Sequence, residues 1–204
     1  MAFETSDHAE RSSIYCLLAR LWAEEPGDLL AALASDPLQS AWQQLGGSIP
    51  DHRSEDVRAA IDEAYCRLFV GPKERLPPIQ SVWVSGELDT TVTASLREFD
   101  SIVGFNEPWS FSIVPDHLGN ELWAMGQILW KSHNLSSDKR EVAEDLASQF
   151  FTGHLSWADP FLEAVIAREG GRFYGTVAAI TQQFLEIEAT LLKLQSHTNE
   201  LRQG

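Results

Sequence analysis

The stretch Pro115-Asp116-His117-Leu118-Gly119-Asn120-Glu121-Leu122-Trp123-Ala124-Met125 joins a loop to a helix start. Proline suits a first helical turn, where its missing N–H would be unpaired anyway. An acid beside it complements the positive end of the helix dipole. Leu118, Leu122, Met125 and Leu129 then recur at helical spacing, which predicts a buried stripe and a helix from Pro115 to about His133. His117 and Glu121 are four apart and share a face of that helix.

The surroundings are acidic and aromatic. No Lys or Arg falls between Arg97 and Lys131, whereas Glu98, Asp100, Glu107, Asp116 and Glu121 do. Trp83, Trp109, Trp123 and Trp130 lie nearby in sequence. Such a segment suits a basic, partly apolar ligand. The plainer alternative makes Asp116 a helix-start acid and His117 a solvated or packed histidine.

Outward from this stretch the helical pattern continues. A first helix is predicted from about Asp7 to Glu24, with Ile14, Leu17, Leu18, Leu21 and Trp22 on one face and Pro26-Gly27 as its stop. Short helices follow around Leu29–Ala34 and around Trp42. A longer one runs from about Ser54 to Val70 and faces the core with Val57, Ile61, Ala64, Tyr65 and Leu68. Residues 71–88 break the pattern, because Pro72, Pro77, Pro78 and Gly86 disfavour a long helix. Thr90 to Val103, Asp138 to Thr152, a helix carrying Phe161, Leu162, Val165 and Ile166 that ends at Gly170-Gly171, and Phe173 to about Ser196 complete the predicted helices. Val82-Trp83-Val84 is the one β-like run, too short for a sheet. The expected fold class is all-α.

Composition narrows the partners. The 204 residues are 44% hydrophobic, enough for one substantial core, and carry a net charge of −15. That charge argues against nucleic acid and anionic membranes, which need basic patches, and favours basic polypeptides. Cys16 and Cys66 both fall in helical apolar patterns and are expected to be reduced core thiols. The opening Met-Ala-Phe-Glu-Thr-Ser-Asp has no basic region followed by an apolar run, so no leader and a cytoplasmic protein are expected.

Catalytic signatures are missing. Glu-x-x-His, as in di-iron bundles, does not occur, since Thr5, Ile49, Val114, Trp130, Phe151 and Leu194 stand three before the histidines. There is no Cys-x-x-Cys, Gly-x-Ser-x-Gly or P-loop. Asp116, His117 and Glu121 would hold a metal only with ligands from elsewhere. No cofactor is expected and no catalysis.

Taken together, several motifs resemble the TorD/DmsD family of cytoplasmic chaperones for molybdenum-containing oxidoreductases. They are Tyr65-x-x-Leu68-Phe69-x-Gly71-Pro72, Pro77-Pro78-x-x-Ser81-Val82-Trp83, Pro115-Asp116-His117-Leu118-x-x-Glu121-Leu122, Trp157-x-x-Pro160-Phe161 and Phe173-Tyr174. The resemblance implies an all-helical fold of two lobes, about 1–104 and 115–204, with a hinge at about 105–114. It implies binding of the twin-arginine signal peptide of a molybdoenzyme catalytic subunit until the molybdopterin cofactor is inserted. By position, Asp116, His117, Glu121, Pro77, Pro78, Ser81 and Trp83 are the peptide-binding candidates. Ile79-Gln80 stands where relatives often carry a bulkier aromatic residue before the serine, which bears on the choice of client.

The residues fit this. Guanidinium groups pair well with carboxylates, and tryptophans with a proline loop make an apolar groove. Tyr65, Leu68, Phe69 and Tyr174 are read as core. Two other readings stand beside it. One is an assembly chaperone of the nitrate-reductase branch, docking on the client or its cofactor machinery rather than the leader. The other is a metal- or nucleotide-dependent enzyme using His117. A monomer is expected, with a minor dimer by exchange of lobes.

Overall fold

The computed structural model describes residues 8–88, 90–105, 113–133 and 135–203, with side chains described to residue 193 except at 36, 137 and 138. Glu107, Trp109 and most of the expected hinge lie outside the described residues. The fold is all-α. Its helices are α1 His8–Ala23, α2 Pro26–Leu33, α3 Asp36–Gln44, α4 Glu55–Tyr65, α5 Gln80–Ser85, α6 Thr90–Val103, α7 Leu118–His133, α8 Ser137–His154, α9 Ala158–Glu169 and α10 Phe173–Gln203. No strand occurs among the described residues, and an isolated antiparallel bridge joins Ile79 to His117.

The central contact is α1 against α7. The two run antiparallel and unusually close. A Cβ added at Gly119 would sit 2.7 Å from the Ala23 Cβ, and one at Gly126 would sit 2.9 Å from the Cys16 Sγ. Ser12, Cys16, Ala19 and Ala23 supply the small side of the seam, and the Ser12 hydroxyl donates to the Gly126 carbonyl at 2.8 Å. The predicted stripe Leu118, Leu122, Met125 and Leu129 is fully buried beside it. Gly126→Val is therefore expected to cost about 1–3 kcal/mol by overpacking. Urea unfolding would read this, and an unchanged midpoint would mean the helices separate freely.

α10 closes the other side of α1. Tyr15 stacks edge-on against Phe184 at 4.8 Å between ring centroids. Arg11 forks onto Glu188 at 2.8 Å through both Nε and Nη2. One core cluster includes Leu17 and Leu21 of α1, Leu122 of α7, Phe161 of α9 and Val177 of α10. Helices assigned by sequence to the first lobe thus pack directly on helices of the second.

Three local expectations are corrected. Val82-Trp83-Val84 lies in α5, which ends with Gly86 in left-handed conformation (φ +84°). The stretch from Cys66 to Val70 leaves the α-helical register as a π turn, closed by the Gly71 N–H on the Cys66 carbonyl at 2.6 Å. Cys66 is exposed, not core, because it lies off the Ile61–Ala64–Leu68 stripe. Cys16 is half-buried, and burial pushes its thiol up to about 11.

Candidate peptide-binding cleft

Ahead of α5 the Ile79 N–H donates to the Pro77 carbonyl at 2.8 Å, a tight turn centred on Pro78, and Ile79 itself is extended. The Leu76 N–H bonds the Leu68 carbonyl at 2.6 Å, which folds the loop back on the π turn. The Leu118 N–H then donates to the Pro78 carbonyl at 2.8 Å, and the Gln80 N–H to the Asp116 carbonyl at 2.9 Å. These two bonds lace the proline loop to the segment before α7. Two motifs far apart in sequence become one structure.

Asp116 takes a different role from the one its position suggested. α7 begins at Leu118, so Pro115 and Asp116 form the turn before it, not its first turn. The Asp116 side chain is 3% exposed, and its Oδ2 accepts the Ser81 N–H at 3.0 Å. It caps α5, a helix 35 residues away in sequence.

Beside this lacing lies a cleft of about 550 Å³. Trp22, Tyr65, Phe69, Pro77, Pro78, Ile79, Val82, Leu88, Ile113 and His117 line it, with Arg75 and Glu87 as its charged side chains. Tyr65 and Phe69 were expected in the core. They are half-buried, stack on each other at 5.6 Å, and present one face to the cleft. Leu68 and Tyr174 are core, as expected. His117 is half-buried, and its Nδ1 accepts the Gly119 N–H at 3.0 Å. Burial lowers its pKa to about 4, against the opposing pull of Asp116. At neutral pH the ring is uncharged and its proton sits on Nε2.

Behind the wall runs a buried polar network that sequence reading missed. Gln80 Nε2 donates to the Gly153 carbonyl at 2.6 Å, so its Oε1 faces His154 Nδ1 at 3.1 Å. His154 Nδ1 therefore carries the proton, and Nε2 accepts from the Ser95 hydroxyl at 3.0 Å. Burial lowers the His154 pKa to about 4. Glu121 is 0% exposed and accepts the Trp157 indole N–H at 2.8 Å. Burial raises its pKa well above the usual carboxylate value, Trp157 counters this, and Asp116 adds to it. Nothing in the chain around Gln80 or His154 announces a pairing across 74 residues.

The seven candidates thus divide. Pro77, Pro78 and His117 line the cleft. Ser81 and Asp116 lie just behind it, joined to each other. Trp83 braces the loop, its indole N–H on the Pro77 carbonyl at 2.8 Å and its ring 5.7 Å from Phe161. Glu121 belongs to the inner network, not to the face of His117. Among the described residues no group of three or more His, Cys, Asp or Glu is placed to hold a metal ion.

The network makes stability depend on pH from both sides. Unfolded imidazoles take up protons below about 6.5, whereas His117 and His154 resist until about 4. The unfolded state binds more protons in that window, so stability falls as pH drops through it. Glu121 acts oppositely. It keeps its proton above 4.5, where the unfolded carboxyl has lost it, so its burial costs stability as pH rises. Glu121→Gln is expected to flatten the alkaline limb of melting temperature against pH, and His154→Gln the acid limb. Curves parallel to wild type would rule out this assignment.

No curated protein and no solved structure matches the chain. Among the described residues no helix is long and apolar enough to cross a membrane. Residues 31–163, from within α2 to within α9, match the family described as nitrate reductase delta subunit. Both laced segments and the π turn fall inside that span, and the chain belongs to this family of NarJ/TorD-type chaperones for molybdoenzyme maturation.

Proposed function

We propose that this chaperone binds the twin-arginine signal peptide of a molybdoenzyme catalytic subunit and holds it in the cytoplasm until the cofactor is in place. The observation that supports this most is the cleft itself, walled by aromatic and proline side chains on a chain of net charge −15. A leader of this class supplies guanidinium groups followed by an apolar stretch, and both halves suit such a surface. In this reading Pro77, Pro78 and His117 meet the peptide. Ser81, Trp83 and Glu121 hold the wall in place. Asp116 offers its charge to a leader arginine in competition with the Ser81 N–H, and Glu87 is the exposed acid in the cleft.

Calorimetric titration of a client leader into wild type, Asp116→Ala and His117→Ala tests it. Asp116→Ala is expected to lose roughly ten- to hundred-fold in affinity, as for a hydrogen bond to a charged group worth about 1.5–3 kcal/mol. Wild-type affinity should fall with salt, and Asp116→Ala should flatten that dependence. Melting curves on each variant separate this from the loss of the α5 cap. Unchanged affinity in both folded variants would remove the pair from the site.

The family description supports a second reading, docking on the client rather than its leader. A chain that ignores the isolated leader but binds the larger catalytic subunit would decide for it. Either way light scattering is expected to show mainly monomer, and an obligate dimer at every concentration would contradict that.

A further inference from the structure

The acidic chain carries one concentrated patch of the opposite sign. Arg67, Lys73, Arg75, Arg168 and Arg172 are all exposed, and hydrogen bonds bring the segments that carry them together. Arg67 Nη2 donates to Glu169 Oε1 at 2.7 Å. The Arg172 N–H donates to the Glu169 carbonyl at 3.1 Å. Arg168 donates to the Glu74 carbonyl, between Lys73 and Arg75. The acids here are Glu169, which is buried beneath Arg67, the exposed Glu74, and the exposed Asp62 and Glu63 of α4, Asp62 acting on Tyr174 at the start of α10. Bases outnumber them, on a chain where Asp and Glu total 30 against 15 Lys and Arg.

The patch is built on two tight turns. Glu74 has a positive φ (52°), and so does Gly170 (φ +55°). A Cβ on Gly175 would fall 1.9 Å from the Gly170 carbonyl, so the α9–α10 junction is tightly closed. Arg168 and Arg172 flank that junction, and Arg75 reaches round into the cleft.

We infer that this patch docks a carboxylate-rich segment of a partner polypeptide. Its heads are exposed and spread over a loop and two helix ends, so they suit an extended chain bearing several carboxylates. Each head pairs with one carboxylate, and a single small anion would span few of them. The patch adjoins the proposed leader cleft through Arg75, but the inference does not depend on leader binding, and Lys73 and Arg172 lie outside the cleft lining.

Fluorescence anisotropy on the full chain tests it with a labelled peptide of alternating Glu and Ala, and a Gln–Ala peptide as control. The acidic peptide is expected to bind at low salt and the control not. The Lys73→Glu/Arg172→Glu variant is expected to weaken binding about tenfold. The Lys73→Gln/Arg172→Gln variant should fall between, and serves if charge reversal disturbs folding. Absence of binding by the acidic peptide, or equal binding by the variants, would overturn the inference. So would competition by inorganic phosphate or pyrophosphate beyond that of chloride at matched ionic strength, which would mark a small-anion site instead.

Discussion

Arg11→Ala is expected to lower fold stability by about 3–5 kcal/mol, the cost of leaving a buried charge without its partner. Arg11 is 1% exposed and Glu188 0%, and two 2.8 Å bonds join them across α1 and α10. Little water reaches the site to screen an orphaned carboxylate. The Tyr15 hydroxyl nearby is also buried, and burial raises its pKa well above the usual value, with Glu188 adding to this. The pair's net worth is a different quantity. A double change, Arg11→Met with Glu188→Leu, is expected to recover most of the loss, because isosteric apolar pairs often match buried ion pairs. Urea unfolding of the single and double variants checks both statements. A small single-variant effect would mean that water enters the α1–α10 seam.

Trp22→Ala is expected to cost a similar amount, about 3–5 kcal/mol. The indole stacks edge-on against Phe161 at 5.1 Å and Phe69 at 6.0 Å, and its N–H donates to the Thr181 hydroxyl at 3.0 Å. It also lines the cleft, so core and cleft wall share one side chain. Trp22→Phe is expected to restore most of the stability, since Thr181 still donates to the Val177 carbonyl at 2.8 Å. Thermal unfolding distinguishes the two variants. Equal losses would show that the indole hydrogen bond, and not the ring, carries the effect.

Helical periodicity made much of this fold legible. α6 has the bounds that spacing predicted, and the α7 stripe is buried at every position named. Such patterns record burial along a single element, and that is where reading stopped. Asp116 looked like a cap for the helix beside it because capping rules search adjacent residues; its partner Ser81 lies across the lacing. Tyr65 and Phe69 sat on a core-like pattern, but the π turn falls there and they face the cleft. His154, Gln80 and Glu121 form a network whose members share no local signature. The family motifs located the proline loop and the segment before α7, and those two segments are what the backbone joins.

The α1–α7 seam also sets a timetable for biosynthesis. Ser12 and its partner Gly126 are 114 residues apart. At about 5–20 residues per second, a ribosome takes on the order of 5–25 s to make that interval. Throughout it Leu17, Leu18 and Leu21 of α1 lack the α7 packing that the folded chain gives this helix. A nascent chain halted before α7 would keep that stripe bare and become a substrate for holdases and proteases. The first helix therefore waits for α7, and then for α10, before its packing is complete.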